Sequence, residues 1–400
     1  MRPAARVLLP FIVLVALAAG CGGRFQLPTQ QTVRVVPTNH SYQMLATWKN
    51  LNGIHDVLMT RGSGEQLFLL FNHGGNGGPA TARGEVQLYP FTQPTPIGPP
   101  FFYPLRSLFN PVALASAQSR LFVLDLGDSC MAKFDPVRST CVPDMGDTTH
   151  NGRGARPNIV YDYSSIWRVR EYSISGGDTI STFTDTTFQQ PEGIAADDNG
   201  NVYVSGYVAV LDTDQTDHRI RTRRLLPRIY RYARGPQYPG VIPIGQNMPG
   251  ANWHRDTTWV VKDGTGMSTV ADPHRIVWSP IEGGALLVAD SLNNKAKLIG
   301  TYGQDVGLTW MSGADTPSQV LFSGPNAVAM DEAGYLYIVD RGNQRVVRYD
   351  IAGNYVQDVN VENNSDNLPL LGPGGLGVDD SIAYVADISR AQVIRYKRRP

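Results

Sequence analysis

Apolar residues in this chain recur in short runs that alternate with small and polar residues, and turn-forming residues separate the runs. The clearest run is Tyr335-Leu336-Tyr337-Ile338-Val339, which follows a glycine-containing turn and ends at Asp340. Short runs with a period near two predict β-strands, whereas helices need longer stretches with a period of 3.6. The pattern therefore predicts an all-β protein built from short strands.

The runs belong to an internal repeat. Its clearest copies read QPEGIAADDNGNVYVSGY from residue 190, GPNAVAMDEAGYLYIVDRGNQRVVRYD from 324 and GPGGLGVDDSIAYVADISRAQVIRYK from 372. Each copy contains a proline, a variable residue, an aliphatic anchor, an aspartate and a second strand. Weaker copies complete a set of six, whose anchors are Val57, Leu114, Ile194, Ile276, Val328 and Leu376. The copy at 324–350 resembles the NHL repeat, and this resemblance implies a β-propeller.

Short strands of this kind cannot bury both faces alone, and the radial packing of four-stranded sheets solves that problem. We therefore predict a six-bladed β-propeller over residues 46–400. The last copy supplies three strands, so its outermost strand has to come from elsewhere. The segment TVRVVP from Thr32, within an N-terminal linker at 21–45, is predicted to pair there and close the ring.

The second and third copies are the longest, with insertions near 126–165, 206–225 and 245–265. We interpret the last of these as a loop. Long insertions in a compact fold are often functional loops, and the alternative is that they cover blade edges.

The N-terminus carries a basic start and an apolar run, which predict an export signal over residues 1–20. The sequence AAGC that follows resembles the lipobox of bacterial lipoproteins. This resemblance implies lipidation of Cys21 and a membrane-anchored protein of the cell envelope, periplasmic or on the outer surface. The alternative is a plain secretory signal. Because exported proteins meet an oxidising compartment, we predict a disulfide between Cys130 and Cys141, and the alternative is two reduced thiols.

The charge balance narrows the choice of partners. Lys and Arg number 35, Asp and Glu also number 35, and the formal net charge is zero. A neutral chain lacks the basic surface that nucleic-acid binding requires, so we exclude that class.

The variable residue after each proline is the main candidate for chemistry. In a propeller the turn before each innermost strand lies at one mouth of the central channel, so six such residues converge there. They are His55, which follows Ile54 in the place of the proline, and Val112, Glu192, His274, Asn326 and Gly374. Imidazole and carboxylate groups bind divalent metals, and we predict a site formed by His55, His274 and Glu192, with zinc or calcium as the candidate ion. Asn326 and Arg275 are candidate ligand-binding residues beside it.

The motif around His274 resembles a motif of a known enzyme family. Pro273-His274-Arg275-Ile276 resembles the proline-histidine-serine-leucine phrase of the NHL-type peptidyl-hydroxyglycine lyase, in which histidines from several blades hold zinc at this mouth. The resemblance is confined to His55 and His274, and Glu192 stands where a third histidine would be expected. The alternative is a solvated mouth lined by polar residues that bind only water.

A second row of acidic residues ends the second strands, at Asp125, Asp290, Asp340 and Asp387. We predict a structural role for them, because Asp accepts hydrogen bonds from turn backbone amides. A site is also seldom copied into every repeat.

Three functions follow from these observations. The first is a binding module at the cell envelope that presents one face to a protein, glycan or small-molecule ligand. The second is a metal-dependent lyase or hydrolase at the channel mouth. The third is a structural role in envelope assembly. Fold alone does not decide between them.

Overall fold

The structure is a computed structural model. It describes residues 42–60, 65–72, 84–93, 108–127, 167–213, 220–235, 253–301, 321–359 and 370–399, apart from 176, 186, 267, 281 and 282, together with 95, 134–135, 140–141, 242–243 and 245–246. All of them belong to the unit of chain from Pro37 to Pro400.

The strands lie where the sequence pattern predicts them, and in the described residues they form six blades. The first half of the chain contains β1 (Tyr42–Trp48), β2 (Ile54–Met59), β3 (Leu67–Phe71), β4 (Glu85–Tyr89), β5 (Pro111–Ala117), β6 (Arg120–Asp125), β7 (Phe134–Asp135), β8 (Thr140–Cys141), β9 (Arg168–Ser173) and β10 (Thr179–Thr184). Blade 1 is β2-β3-β4, and blade 2 is β5-β6-β9-β10. Strands β7 and β8 pair with each other inside the insertion at 126–165.

The second half follows the same plan. It contains β11 (Phe188–Ala196), β12 (Val202–Thr213), β13 (Ile220–Arg234), β14 (Ile242–Pro243), β15 (Gly245–Gln246), β16 (Trp253–Asp263), β17 (Thr269–Val270), β18 (Pro273–Ser279), β19 (Ala285–Asp290), β20 (Lys295–Gly300), β21 (Pro325–Met330), β22 (Leu336–Asp340), β23 (Arg345–Tyr349), β24 (Tyr355–Asp358), β25 (Pro373–Val378), β26 (Ile382–Asp387) and β27 (Gln392–Arg398). Blade 3 is β11-β12-β13-β16, blade 4 is β18-β19-β20, blade 5 is β21-β22-β23-β24, and blade 6 is β25-β26-β27 with β1 on its outer edge.

The structure differs from the sequence interpretation in two of the insertions and in the strand that closes the ring. The insertion at 206–225 extends the β12–β13 hairpin, and the segment 245–265, predicted as a loop, contains β16, the fourth strand of blade 3. The strand that closes the ring is β1, which pairs antiparallel with β27 from Tyr42 opposite Arg398 to Trp48 opposite Val393. The segment from Thr32 lies outside the described residues, as do Cys21 and Cys130, and the Cys141 side chain is not described.

The core consists of six hydrophobic clusters, one between each pair of neighbouring blades. The cluster between blades 6 and 1 contains Trp48, Tyr384 and Tyr89, and the Trp48 and Tyr89 rings stack at 5.7 Å. Burying large side chains at every junction, at roughly 1.5–3 kcal/mol each, holds the blades as one ring. The six-bladed propeller predicted from the repeats is confirmed. None of the described residues forms a helix long and apolar enough to cross a bilayer.

The aspartates that end the second strands have the predicted structural role. Their carboxylates accept backbone hydrogen bonds from the turn that leads into the innermost strand of the same blade. The pairs are Asp125 with Asn110 at 2.9 Å, Asp290 with Asp272 at 2.9 Å, Asp340 with Ser323 at 2.7 Å and Asp387 with Gly372 at 3.0 Å. Each carboxylate therefore fixes the backbone just before the residues that reach the channel mouth.

Candidate functional site

The innermost strands β2, β5, β11, β18, β21 and β25 surround the channel in that order, and β25 returns to contact β2. Each has a register shift against the second strand of its blade directly after the proline, or after Ile54 in blade 1. A β-bulge leaves one residue outside the ladder and re-aims its side chain. The bulge explains why the residue after the proline varies so freely between blades and is available for a site.

Two of the predicted site residues meet. The Nδ1 atom of His274 in blade 4 lies 2.9 Å from Oε2 of Glu192 in blade 3, and their side chains are 19% and 15% exposed. The approach depends on Gly193, because a Cβ there would lie 2.0 Å from the His274 carbonyl oxygen. Ser205 also donates a hydrogen bond to that carbonyl at 2.8 Å. Blades 3 and 4 are therefore in close backbone contact at the point where the two side chains meet.

A third residue, Asp272, completes the cluster. Its Oδ2 lies 3.3 Å from Nε2 of His274, and the Tyr207 hydroxyl donates a hydrogen bond to its Oδ1. The ligand-type atoms of Glu192, Asp272 and His274 all lie within 4.8 Å of one another. Asp272 was missed in the sequence because the repeat alignment begins at the proline that follows it.

The two carboxylates control the charge of His274. Burial by itself lowers the pKa of this imidazole, but the charge of Glu192 and the contacts with Asp272 outweigh burial and raise the pKa to about 10. His274 is therefore an imidazolium at neutral pH, with one ring nitrogen facing each carboxylate. With both carboxylates ionised, the three side chains together carry a net charge of −1.

His55 does not belong to this cluster. Its Nδ1 lies 3.2 Å from Nη2 of Arg275, and Nη1 of Arg275 lies 2.8 Å from Oδ2 of Asp56. Blades 1 and 4 are opposite each other in a ring of six, so the Arg275–Asp56 ion pair crosses the channel. Asp56 also accepts hydrogen bonds from the backbone amides of Val57 and Leu114, both at 2.9 Å.

The remaining mouth residues are of two kinds. Asn326 donates a hydrogen bond to the Pro373 carbonyl at 3.1 Å, while its side-chain oxygen is buried and has no hydrogen-bond partner among the residues that the structure describes. Val112 packs against the core between blades 2 and 3, and Gly374 offers no side chain. The polar groups are therefore concentrated on blades 3, 4 and 5, with His55 on the opposite side.

Beyond the Arg275–Asp56 pair, towards the ends of the innermost strands, the channel holds a cavity of about 130 Å³. All six innermost strands contribute to its walls, among them Leu114, Ile194, Trp278 and Met330. The cross-channel pair thus separates a charged mouth from a space whose wall side chains are mainly apolar.

The cluster at the mouth contains donors that suit a divalent metal. Two carboxylates and one imidazole are ligands for zinc, manganese or calcium-type ions. His274 would have to lose its proton to act as a ligand. The residues that would hold such an ion are Glu192, Asp272 and His274.

No protein-family model matches this sequence, and no curated protein matches it. Among solved structures it is similar to virginiamycin B lyase from Staphylococcus aureus, at 12% identity over 90% of this chain and 99% of that chain, with a TM-score of 0.44. A streptogramin B lyase gives 11% identity over 90% and 98% of the two chains and the same TM-score. A Bacteroides thetaiotaomicron protein of unknown function gives 13% identity over 90% and 72%, also at 0.44. Likenesses this low carry no argument about activity, and the fold rests on the six sheets of this chain.

Proposed function

We propose that this protein is an exported, lipid-anchored β-propeller that acts as a binding module at the bacterial cell envelope and holds its ligand at the channel mouth. The observation that carries the proposal is the convergence of Glu192, Asp272 and His274, in which His274 lies 2.9 Å from Glu192 and 3.3 Å from Asp272. Bulged positions on separate blades present groups to one shared space, as ligand sites require.

The charge state of His274 argues against a role as a general base. A general base must accept a proton near neutral pH, whereas carboxylates raise the pKa of His274 to about 10. An imidazolium held between two carboxylates is instead a fixed arrangement of charges. Such an arrangement orients a ligand and selects it by charge.

Native mass spectrometry tests the ligand site. The purified protein is incubated with the small-molecule fraction of the cells that produce it, and the bound species is weighed. We expect an adduct on the wild type that is lost in the Glu192→Gln and Asp272→Asn double variant and kept in the Glu332→Gln control, which changes an exposed acid. An adduct that persists in the double variant would refute the site.

The anchor is tested separately. Cells are labelled with an alkyne fatty acid, and the chain is followed in the membrane fraction. We expect label and membrane association in the wild type, and neither in the Cys21→Ser variant. Membrane association that survives this substitution without label would refute lipidation at Cys21.

A metal-dependent lyase or hydrolase is the second candidate, and the ligand-type atoms within 4.8 Å of one another favour it. A bound ion with an open position would activate water or polarise a carbonyl. Equilibrium dialysis with Zn²⁺ or Ca²⁺ followed by elemental analysis tests this candidate. We expect one ion per chain in the saturated wild type and a dissociation constant at least tenfold higher in Asp272→Asn, since loss of even an outer-shell partner of a metal site costs tenfold or more in affinity. Equal dissociation constants in both proteins would refute this ion site.

A further inference from the structure

The mouth face also carries exposed aliphatic side chains. Of the seven large hydrophobic residues that are exposed in the described part of the chain, five lie on that side: Leu225 in the β12–β13 hairpin of blade 3, and Leu292, Leu321, Leu371 and Ile388 around the mouth of blades 4 to 6. Leu292 and Ile388 follow the second strands of blades 4 and 6, and Leu321 and Leu371 precede the innermost strands of blades 5 and 6. We call these four residues the aliphatic rim.

Backbone contacts fix the rim beside the channel. The turn residue before Leu292, Ser291, donates a hydrogen bond to the Asp272 carbonyl at 2.9 Å, and the Ile388 amide donates to the Gly372 carbonyl at the same distance. A Cβ on Gly374 would lie 2.1 Å from Cδ1 of Ile388. Ile388 therefore occupies the space at the mouth that a side chain at position 374 would otherwise fill.

The polar side of the mouth offers acceptors. The Asn326 side-chain oxygen has no hydrogen-bond partner among the described residues, and the Glu192 carboxylate, 15% exposed, shares His274 with a second carboxylate, Asp272. Arg275, a cation beside them, is neutralised by Asp56 at 2.8 Å. Acceptors with an excess negative charge complement a ligand that is positively charged and donates hydrogen bonds.

We propose that the mouth binds a small amphipathic amine, with its ammonium group at Glu192 and its hydrocarbon part against the aliphatic rim. This proposal rests on the proposed function, since it names the ligand class of the same site. A hydrocarbon chain bound against the rim is stabilised because its own apolar surface and that of the rim side chains are removed from water.

Isothermal titration calorimetry with four probes tests the ligand class. The probes are octylammonium, octanol, octanoate and methylammonium, each titrated into the full chain at pH 7. We expect octylammonium to bind about tenfold more tightly than octanol or octanoate, since a charge-assisted hydrogen bond is worth at least that factor. We expect methylammonium to bind much more weakly than octylammonium, since each buried methylene adds up to about fourfold.

Matched variants assign the two halves of the ligand. Glu192→Gln should weaken octylammonium about tenfold and leave octanol unchanged, because it removes a charge and keeps the shape. Leu371→Ser should weaken octylammonium and octanol by the same few-fold factor. The controls are Glu332→Gln and Leu45→Ser, which change an exposed acid and an exposed leucine away from the mouth, and neither should alter binding.

The outcomes separate this proposal from the one it rests on. Tighter binding of octanoate than octylammonium, abolished by mouth variants, would overturn the ligand class and leave the site standing. Octylammonium binding that Leu45→Ser weakens as much as Leu371→Ser would overturn the rim. Concentration-dependent association of the wild type that Leu371→Ser abolishes would show that a second copy covers the rim and would also overturn the proposal. No effect of Glu192→Gln on any bound species would count against the mouth site itself.

Discussion

Replacing Arg275 by methionine tests whether the ion pair across the channel ties blade 4 to blade 1. The side chains of Arg275 and Asp56 are 12% and 9% exposed, and their charged atoms lie 2.8 Å apart. Methionine keeps most of the side-chain volume but leaves the Asp56 carboxylate with only the amides of Val57 and Leu114. Removing one partner of a buried pair costs about 3–5 kcal/mol. We therefore expect a loss of about 3 kcal/mol in the free energy of unfolding.

Equilibrium urea unfolding, followed by tryptophan fluorescence and far-UV circular dichroism, measures the loss. Asp56→Asn should be destabilised to a similar degree, because it leaves the buried Arg275 guanidinium without its carboxylate partner. The double variant should recover part of the loss, with a coupling energy of about 2 kcal/mol or more. Single variants within about 1 kcal/mol of the wild type, or a double variant equal to their sum, would refute a coupled cross-channel pair.

The pH dependence gives an independent check. Burial raises the pKa of Asp56, and the charge of Arg275 opposes this rise. Without Arg275 the pKa should rise further. A carboxyl whose pKa is higher in the folded than in the unfolded state gains stability as the pH falls through the folded value. The destabilisation of Arg275→Met should therefore shrink in mildly acidic urea titrations, and a gap that widens with acid would contradict the reasoning.

Three further predictions concern the site and the ring. The pKa of His274 is raised to about 10, so its stabilising contribution is present below about pH 6.5 and is lost as the pH rises towards 10. The wild type should therefore be more stable than His274→Gln in urea titrations at low pH, and this difference should fall between about pH 6.5 and 10. A difference that grows with pH would contradict this prediction. Gly193→Ala should lower the unfolding free energy by about 2 kcal/mol or more, because its Cβ would clash with the His274 carbonyl. The control is Gly266→Ala, where the nearest contact of an added Cβ is 3.4 Å, and it should lower the unfolding free energy by less than half as much in the same assay. A chain that starts at residue 49 lacks β1 and should associate through the exposed edge of β27 in light scattering, whereas one that starts at residue 38 should stay monodisperse; equal behaviour would refute closure by β1.

The sequence by itself determined the strands, their grouping into six repeats and the residues that reach the mouth. Each depends on a local regularity. Tyr337 and Ile338 are both fully buried because the two faces of β22 pack against different neighbouring blades, and the turn geometry repeats the aspartate that ends each second strand. The post-proline position stood out because a bulged residue is free of the ladder and can vary. These features recur within one blade and so leave a periodic signal.

Only the tertiary structure decided which mouth residues touch. The metal hypothesis grouped His55 with Glu192 and His274, whereas the structure places His55 against Arg275 and brings Asp272 to the cluster. It also uses residues 42–48 to complete blade 6. These contacts join different blades, so they depend on how the ring closes and on which side-chain rotamers the neighbouring blade allows. Neither the closure of the ring nor the choice of rotamer repeats along the chain, so the sequence period does not predict these contacts.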